Sequence, residues 1–451
     1  MRIVVIGCGK IGGTLAGLLS EEEHDVVAVD TSEAVTSRLA DSYDVMSIQG
    51  NGATLAVQRE AGADRADLVI AATEKDEANI LCCILARKLG ARHTIARVRD
   101  PAFAEQLEYM REELGLSMYI NPELSAAAEI FRTIRNPAAE KVETFAGGRV
   151  EIIEMRVREG SELAGVVLRD VQRVTGVRIL ICAVRRGGEV YIPNGDFVLR
   201  EGDRISIAAS NREVHELFRR WGMLRRGNTS VAIVGGSRIA VYLARQLLAV
   251  RYSVTVIDSS RARCEELAEL LPGANVICGD GTDPELLSEE GLGSFGTLVA
   301  LTGGDEDNII MSLFAASKGV RKVIAKVNRP ELAAMASDTL LDSVVSPRAV
   351  SAANILQYVR SMANSHGSNV ETLHRIVGES VEALEFRVAD DPEIISRPLR
   401  ELTLKPDHLI ACIIRGEKVI IPGGSDSMEK GDHVVVVTTH SGLGELRDIL
   451  R

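Results

Sequence analysis

A glycine-rich loop close to the start of the sequence has the residue types and spacing that bind phosphate groups. Gly7, Gly9 and Gly12 form the pattern Gly-x-Gly-x-x-Gly between a β-branched run and a helical pattern, and Asp30 ends the following β-branched run about 20 residues later. Such glycines permit a tight turn and close approach of a pyrophosphate, to which a helix N-terminus offers unpaired N–H groups. An aspartate in this position accepts ribose hydroxyls and repels a 2′-phosphate, which favours NAD(H) or adenine nucleotides over NADP(H). The alternative is that the glycines serve only packing and that Asp30 caps the next helix.

Polar residues also follow the later predicted strands, at the edge where an open α/β sheet binds its ligands. Asn51–Gly52 could contact the adenine edge, and Thr73–Glu74 could contact the sugar or the second phosphate. Arg97 would direct a cation into the same crevice. Each of these could equally belong to a surface turn, and Arg97 could instead form a salt bridge with Asp76, Glu77 or another surface acid.

The whole pattern occurs twice in the chain. VVIGCGKIGGTLAGLL returns as AIVGGSRIAVYLARQL, GNGATLAVQREAGA returns as GDGTDPELLSEEGL, and YIPNGDFVLREGDRISI returns late in the second half as IIPGGSDSMEKGDHVVV. In the second loop, Ser237 and Ala240 replace the second and third glycines, and their Cβ atoms crowd the pyrophosphate and the helix packing. Asp258 keeps the position of Asp30, so the second half is left with two alternatives: a different nucleotide, or none.

The elements that must position these residues alternate between strands and helices. Five short apolar runs in the first half, separated by helical patterns, predict a parallel sheet: RIVVIG, DVVAVD, YDVMSIQG, ADLVIAAT and HTIARV. Beyond about Arg149, strand-like runs come closer together, with RRGG as a hairpin turn, which predicts a smaller α+β module. The predicted fold is α/β, with two tandem Rossmann-like domains that are each followed by a small α+β domain. The predicted boundaries are 1–140, 145–225, 228–362 and 368–451.

Composition excludes several classes of function. With 52 basic and 64 acidic residues in a chain of 451, the net charge of −12 repels nucleic acid and anionic lipid. Seven cysteines without a Cys-x-x-Cys pair are typical of a reducing cytoplasm. No apolar run reaches the ~18 residues that predict a membrane span, so we expect a cytoplasmic protein.

No constellation of residues predicts catalysis. The eight histidines are scattered without metal-ligand spacing, and neither Gly-x-Ser-x-Gly nor the P-loop pattern is present. A dehydrogenase would need a proton donor or acceptor directed at the nicotinamide, and the small modules offer none. We therefore expect no catalytic residue and no metal site, and a duplicated nucleotide domain without chemistry indicates a sensor.

The order IGCGKIG, Asp30, GNGA, ATEKDEAN, ARV and NPE, followed by a small module and then repeated, resembles the tandem RCK (or KTN) domain family over essentially the whole chain. The resemblance implies a regulatory subunit of Trk-type potassium uptake that binds NAD(H) and ATP or ADP. It also implies a homodimer or homotetramer, held at the inner face of the cell membrane by a membrane potassium channel or transporter. The alternatives are regulation of a different ion transporter and, more remotely, an NAD-dependent oxidoreductase.

The resemblance also implies roles for individual positions. The first loop would contact phosphates, Asp30 the adenosine ribose, and the polar ends of the later strands would complete the pocket. Glu123, in the NPE element, matches a position near a nucleotide phosphate or a divalent ion in single-RCK relatives, but its counterpart is Arg348. The predicted nucleotide-binding residues are Gly7, Cys8, Gly9, Lys10, Ile11, Asp30, Thr31, Asn51, Gly52, Thr73, Glu74, Arg97 and Glu123 in the first half, and Gly235, Gly236, Ser237, Arg238, Ile239, Asp258, Asp280, Gly281, Thr302 and Lys326 in the second.

Two helical patterns are candidates for subunit packing and for a hinge. One runs from Asp100 to Leu114, and the other is NPELSAAAEIFRTI, which carries a stripe of small and apolar residues: Ala126, Ala127, Ala128, Ile130 and Phe131. The alternative is that this stripe packs on its own sheet.

Overall fold

The computed structural model describes the chain except residues 101–102, 104–108, 111–112, 137–140, 158–159, 222–228, 340, 342, 365–369, 378–379 and 441–442. The chain forms two compact units, and each takes one part from each half of the repeat. One unit comprises Met1–Phe131 and Thr229–Leu356, and the other comprises Arg132–Asn228 and Gln357–Arg451. Most of the predicted helix from Asp100 to Leu114 lies outside the described residues.

The first half opens with a six-stranded parallel sheet. Its strands are β1 (Arg2–Ile6), β2 (Asp25–Asp30), β3 (Met46–Gln49), β4 (Leu68–Ala71), β5 (His93–Arg97) and β6 (Met118–Ile120), in the order 3-2-1-4-5-6. The helices that follow its strands are α1 (Lys10–Glu21), α2 (Glu33–Ser42), α3 (Leu55–Glu60), α4 (Asp76–Leu89) and α5 (Pro122–Arg135). The order reverses between β1 and β4, and this is where an open α/β sheet forms its ligand crevice.

A five-stranded antiparallel sheet follows. It contains β7 (Lys141–Phe145), β8 (Val150–Arg156), β9 (Leu180–Arg186), β10 (Glu189–Tyr191) and β11 (Arg204–Ser210), in the order 10-9-11-8-7, with helices α6 (Val171–Thr175) and α7 (Asn211–Arg220). The hairpin predicted at RRGG joins β9 to β10.

The second half repeats both sheets. Its parallel sheet contains β12 (Ser230–Val234), β13 (Ser253–Asp258), β14 (Asn275–Cys278), β15 (Thr297–Ala300), β16 (Lys322–Lys326) and β17 (Ser343–Val345), in the equivalent order. Its helices are α8 (Arg238–Ala249), α9 (Arg261–Leu270), α10 (Pro284–Glu289), α11 (Asp305–Ser317), α12 (Pro330–Thr339) and α13 (Pro347–Asn364). The antiparallel sheet contains β18 (Val370–Ile376), β19 (Val381–Arg387), β20 (His408–Arg415), β21 (Lys418–Ile420) and β22 (His433–Thr438).

The predicted fold class is confirmed, and three strands extend it. β6 and β17 are three-residue strands that add a sixth member to each parallel sheet. β7 begins in the gap between the predicted domains 1–140 and 145–225. β7 pairs with β8 along one edge of the antiparallel sheet, and its Val142 and Phe145 are buried because each packs into a hydrophobic core.

The two antiparallel sheets share one hydrophobic core. It combines residues of the first module with residues of the second, and its members include Phe145, Val150, Ile152, Cys182, Ala183, Ile376, Val381, Ala383, Ala411, Cys412 and Val437. Each module buries a second core on its other face, around Ile205 and Phe218 in the first and around Phe386 and Val434 in the second. The central core is therefore complete only when both halves of the chain are present.

Equivalent glutamates hold the two modules together reciprocally. Glu154 on β8 accepts a hydrogen bond from the Val377 N–H at 2.6 Å, and Glu385 on β19 accepts one from the Ala146 N–H at 3.0 Å. Ala146 and Val377 both have positive φ, 50° and 55°. Each charged acceptor thus satisfies a buried turn amide of the other module, and the contact has the self-complementary pattern of a two-fold dimer.

Within the described part of the chain, no helix combines the length and the apolar character needed to cross a bilayer.

Candidate functional site

The first glycine loop joins β1 to α1 at the reversal point of the parallel sheet. Gly7 has φ +84°, and a Cβ on it would lie 2.6 Å from the Thr73 backbone nitrogen. A Cβ on Gly12 would collide with the Gly7 carbonyl oxygen. Packing alone therefore requires glycine at these two positions, as one of the sequence alternatives supposed.

Gly9 differs, because nothing in the folded chain requires glycine there. Its φ is −65°, it is exposed, and no atom lies within 4 Å of where its Cβ would be. Gly9 is the N-cap of α1 and provides no side-chain cap, so the first N–H groups of this helix face open space. Lys10 is exposed beside them. Phosphate oxygens fit this cradle, which a methyl group would fill.

The Asp30 carboxylate is fixed against this loop. Its Oδ2 accepts a hydrogen bond from the Cys8 N–H at 2.7 Å, and its Oδ1 accepts one from the Ser32 N–H at 2.9 Å. Ser32, not Asp30, is the N-cap of α2. A carboxylate oxygen accepts more than one hydrogen bond, so both oxygens keep capacity for ribose hydroxyls.

The Asn51–Gly52 turn is largely occupied with its own structure. Asn51 Oδ1 accepts a hydrogen bond from the Ala53 N–H at 3.0 Å. Gly52 is buried, and a Cβ on it would collide with the Ile6 side chain. Gly52 thus lets this turn pack against β1, while the Asn51 amide group remains exposed.

A buried asparagine, which the sequence analysis did not single out, joins the ends of β4 and β5. Asn79 is fully buried on α4, and its Oδ1 accepts hydrogen bonds from the N–H (2.8 Å) and the hydroxyl (2.7 Å) of Thr73. Its Nδ2 donates to the carbonyls of Thr73 (3.1 Å) and Arg97 (2.9 Å). The repeat offered the signal, since Asn79 and Asn308 occupy the same position in the aligned segments ATEKDEANI and LTGGDEDNI.

Arg97 points its guanidinium towards the same crevice. Its Nη1 donates to the Thr73 carbonyl at 3.0 Å, while its Nε is buried without a hydrogen-bond partner. Burial lowers the pKa of Arg97, and the charge of Arg99 lowers it further. Asp76, one expected salt-bridge partner, instead accepts hydrogen bonds from the N–H groups of Arg99 and Asp100, both at 2.8 Å. The Nε is thus a buried donor without a partner in the folded chain.

Glu123 is paired within the protein. Its Oε1 accepts a hydrogen bond from Arg99 Nε at 2.8 Å, and its Oε2 is buried without a partner. Among the residues that the structure describes, no cluster of three or more His, Cys, Asp or Glu side chains could hold a metal ion. The ion pair with Arg99 compensates the charge that would otherwise attract a divalent ion.

The second half has the same scaffold. Asp258 Oδ2 accepts from the Gly236 N–H at 2.7 Å, and Asp258 Oδ1 accepts from the Ser260 N–H at 2.9 Å. Asn308 repeats the Asn79 contacts, with hydrogen bonds to Thr302 and to the Lys326 carbonyl.

The start of α8 is nevertheless different. Ser237 is its N-cap, and Ser237 Oγ accepts a hydrogen bond from the Ala240 N–H at 3.4 Å. Arg263 Nε also donates to the Gly236 carbonyl at 2.6 Å, which places this side chain against the loop. Part of the helix terminus that is open in the first half is thus satisfied here by the chain itself.

The remaining polar positions of the second half are occupied as well. Asp280 Oδ1 accepts hydrogen bonds from the N–H (2.9 Å) and the hydroxyl (2.7 Å) of Thr282, which lower the pKa of Asp280. Lys326 Nζ donates to the Thr302 carbonyl at 2.6 Å, and burial lowers the pKa of Lys326. Among the other predicted positions, Thr31, Glu74 and Arg238 are exposed, and Ile239 is buried.

The apolar stripe on α5 is partly covered within this single chain. Ala126, Ala127 and Ile130 are fully buried. At the start of α5, the Asn121 side chain donates to the Tyr242 hydroxyl at 3.2 Å, and Ser125 accepts from Asn354 at 3.4 Å. Ala128 and Phe131 are half-buried, so part of the stripe stays accessible in the single chain and its role in subunit packing remains a prediction.

Both kinds of sheet match known domain families. The TrkA-N domain family matches residues 3–122 and 231–347, and the TrkA-C domain family matches residues 152–222 and 383–451. These four matches follow the order parallel sheet, antiparallel sheet, parallel sheet, antiparallel sheet.

Full-length relatives carry one name. The chain is 35% identical over 453 aligned residues to the Trk system potassium uptake protein TrkA homolog of Archaeoglobus fulgidus, with all of both chains covered. It is 30% identical to the Trk system potassium uptake protein TrkA of Vibrio alginolyticus, covering 97% of this chain and 95% of that one. These relatives are named for potassium uptake and not for an enzymatic reaction, which agrees with the expectation that the chain is not an enzyme.

Solved structures share the fold. The GsuK channel bound to NAD superimposes with a TM-score of 0.63 at 20% identity, over 97% of this chain and 76% of that chain. The GsuK RCK domain gives the same TM-score and identity, over 97% of this chain and 92% of that one.

Proposed function

Since the chain belongs to the family built from tandem TrkA-N and TrkA-C domains, we propose that it is a nucleotide-sensing regulatory subunit of a Trk-type potassium-uptake system. Its partner is a membrane potassium channel or transporter, to which a homodimer or homotetramer of this chain binds at the cytoplasmic face. Its ligands are NAD(H) and ATP or ADP. The observation that carries the nucleotide assignment is the uncapped start of α1 at Gly9, which lies beside the fixed carboxylate of Asp30.

Each part of the first crevice has a task in this proposal. The N–H groups at the start of α1 and the Lys10 ammonium bind phosphate oxygens, and Asp30 accepts the hydroxyls of the adenosine ribose. The Arg97 guanidinium, held at the Thr73 carbonyl, adds positive charge at the end of β5. Asn79 is a positioning residue, because it holds the backbone of Thr73 and Arg97 without facing the crevice. A bound nicotinamide would be held and returned unchanged.

Regulation requires the ligands to distinguish two arrangements of the assembled protein. A ligand shifts such an equilibrium only by its difference in affinity for the two states, and couplings of about 1–3 kcal/mol are usual. NADH and ATP share the adenosine diphosphate group that the Asp30 and Gly9 contacts select. They therefore compete for one crevice and differ in what they place beyond the second phosphate.

Calorimetric titration with NADH, NAD, ATP and ADP tests the nucleotide assignment, with Gly9→Ala as the decisive variant. The added methyl group enters open space at an ordinary φ, so we expect the fold to be intact and the affinity to fall at least about tenfold. Gly195→Ala is the matched control, since Gly195 is exposed and a Cβ there makes only an ordinary contact with Arg169 at 3.8 Å. Unchanged affinity in Gly9→Ala would remove the loop from the binding site.

The partner is tested separately. The full chain, mixed with a Trk-type potassium transporter in detergent, should co-purify with it, and added nucleotide should change potassium flux through the reconstituted complex. Nucleotide binding without such an effect would favour regulation of a different transporter. Oxidation of NADH to NAD that depends on an added carbonyl substrate, which accepts the hydride, would instead favour an oxidoreductase. Asp258→Ala, titrated in parallel, shows whether the second crevice contributes any of the binding.

A further inference from the structure

Two cysteine thiols lie together beside Asp258 in the second parallel-sheet domain. Cys264 is on the first turns of α9, and Cys278 is the last residue of β14. The Cys264 thiol donates to the Asp258 carbonyl at 3.2 Å and contacts the Ile277 carbonyl at 3.7 Å, and Ile277 directly precedes Cys278. In the sheet, Asp258 and Cys278 are direct partners across β13 and β14. The helix α9 and the strand β14 thus bring the Cys264 sulfur against the backbone beside Cys278.

The two thiols differ in access to solvent. Cys278 is the exposed cysteine of the seven, and Cys264 is buried behind it with 7% of its surface exposed. Burial and the adjacent Cys278 raise the pKa of Cys264. An exposed thiol with a second thiol behind it is the arrangement in which an attacking cysteine is followed by a resolving cysteine.

The first half shows that the scaffold does not need sulfur at these positions. There, Thr36 stands in the place of Cys264 and Gln49 in the place of Cys278. The Thr36 hydroxyl donates to the Glu33 carbonyl at 2.9 Å, and the Gln49 amide donates to the Thr31 carbonyl at 3.4 Å. The same strand and helix therefore form with two residues that carry no thiol.

We propose that Cys264 and Cys278 form a reversible intramolecular disulfide when a small disulfide such as oxidised glutathione is present. The Cys278 thiolate attacks one glutathione sulfur, and the other glutathione leaves as a thiolate. Cys264 then displaces the second glutathione from the mixed disulfide. One protein S–S bond forms, two thiol protons pass to the two glutathione thiolates, and the two electrons given up by the cysteines reduce the oxidised glutathione to two thiols.

The disulfide bond would connect α9 to β14, the edge strand of the second parallel sheet. It would lie next to the Asp258 carbonyl, which the Cys264 thiol contacts. Both elements border the crevice at the carboxyl ends of β13 and β14. The disulfide would therefore form beside the second crevice under oxidising conditions. Its formation does not depend on whether a nucleotide binds in that crevice.

The experiment exposes the full-length protein to oxidised glutathione under native conditions and then treats it with iodoacetamide before unfolding. Trypsin leaves both cysteines in one peptide, since the sequence has no Lys or Arg between Arg263 and Lys318, whereas cleavage after glutamate at Glu265, Glu266 or Glu269 separates them. We expect Cys278 to lose its alkylation, the tryptic peptide to lose the mass of two hydrogen atoms, and the glutamate digest to yield a cross-linked pair that a reductant releases.

The matched variants take their residues from the first half. Cys264→Thr should stop the reaction at a Cys278–glutathione mixed disulfide. Cys278→Gln should leave Cys264 unmodified. Both variants should fold, because the first half forms the same strand and helix with Thr36 and Gln49 at these positions. In the wild-type protein, a mixed disulfide that persists on Cys278 would overturn the proposal. A disulfide bond from Cys278 to a second chain would do so as well. So would recovery of both thiols free after an exposure that oxidises a dithiol control.

Discussion

Asn79 and Asn308 make the same hydrogen bonds, although the loops beside them have diverged. Both are fully buried, and both join a threonine at the end of one strand to the last carbonyl of the next strand. Their conservation between halves serves the sheet, whereas the change from Gly9 to Ser237 concerns the open helix terminus. The residues that support the crevice are therefore distinct from the helix start that we propose as the ligand contact.

Alanine at Asn79 should loosen the end of β4. It leaves the Thr73 N–H and two carbonyl groups without their partner, and a buried group that loses its hydrogen bond costs about 1–3 kcal/mol. We expect amide hydrogen exchange at Thr73 to become about 5- to 150-fold faster, with weaker nucleotide binding. Hydrogen exchange read by mass spectrometry measures the first effect, and calorimetry measures the second.

Asn308→Ala is the internal control for this prediction. Exchange at Thr302 should rise by a similar factor, because the lost contacts are the same. Nucleotide affinity should change little, since Ser237 already satisfies part of the helix terminus on that side. Equal losses of affinity in the two variants would mean that both crevices bind.

The sequence predicted the long apolar strands and, through its hairpin turn, the three-residue β10, but it missed β6, β7 and β17. β1 and β2 carry near-continuous β-branched runs, so their periodicity and the glycine loop between them were sufficient. β6 and β17 have three residues each, too few for any period, and their pairing with β5 and β16 depends on the rest of the sheet.

Contacts between residues that are far apart in the sequence could not be predicted from periodicity. Glu143 on β7 and His374 on β18 occupy equivalent positions of the repeat, and Glu143 Oε2 lies 2.7 Å from His374 Nδ1. The repeat shows that the two positions correspond, but only the packing of one module on the other shows that they meet. The same holds for the crevice, where the sequence predicted Asp30 but not the two backbone N–H groups that orient it.

This pair predicts how stability depends on pH. Burial would raise the pKa of Glu143, but the hydrogen bond and charge of His374, together with Lys141, outweigh it and lower the pKa from 4.5 to about 2. A carboxylate with a lowered pKa stabilises the folded state above its ordinary pKa, and this stabilisation is lost as the pH falls from about 4.5 towards 2. The loss should reach at most about 3 kcal/mol.

Trp221 provides the measurement, because it is the single tryptophan of the chain and packs beside a core of the first antiparallel module. Urea unfolding followed by its fluorescence should show stability that declines between pH 5 and pH 2. In Glu143→Gln, the decline should be shallower and the stability at neutral pH lower. Glu162→Ala, at an exposed position, should leave the profile unchanged. An identical slope in Glu143→Gln would exclude this pair as a source of the pH dependence.

The order of the domains along the chain differs from the way in which they pack into compact units. Each compact unit combines segments from both halves, and the two antiparallel modules bury a common core. Neither half of the sequence contains a complete set of cores. The duplication is thus a structural requirement of the single chain, beyond the second copy of a binding domain.

A fragment of residues 1–221 should therefore not remain monomeric. Its first module would expose Phe145, Ile152 and Ala183, which the second module covers in the full chain. We expect two copies to pair through this face, with Glu154 of each accepting from the Ala146 N–H of the other, as Glu385 does in the intact protein. Sedimentation equilibrium at micromolar concentration should show a dimer.

Glu154→Ala should weaken that dimer, and Glu162→Ala should not. A fragment that stays monomeric and folded, or a dimer that does not respond to Glu154→Ala, would contradict the pairing.

The shared core can be completed only late during synthesis on the ribosome. Phe145 and its neighbours leave the exit tunnel roughly 230 residues before the strands that cover them, because β18 to β22 come last in the chain. At a usual rate of about 5–20 residues per second, the apolar face of the first module remains uncovered for roughly 10–50 s before the second module is synthesised. During that interval, neighbouring nascent chains on one messenger RNA offer each other the same face. We expect a chaperone that shields apolar surface to be most needed while the second parallel-sheet domain is being translated.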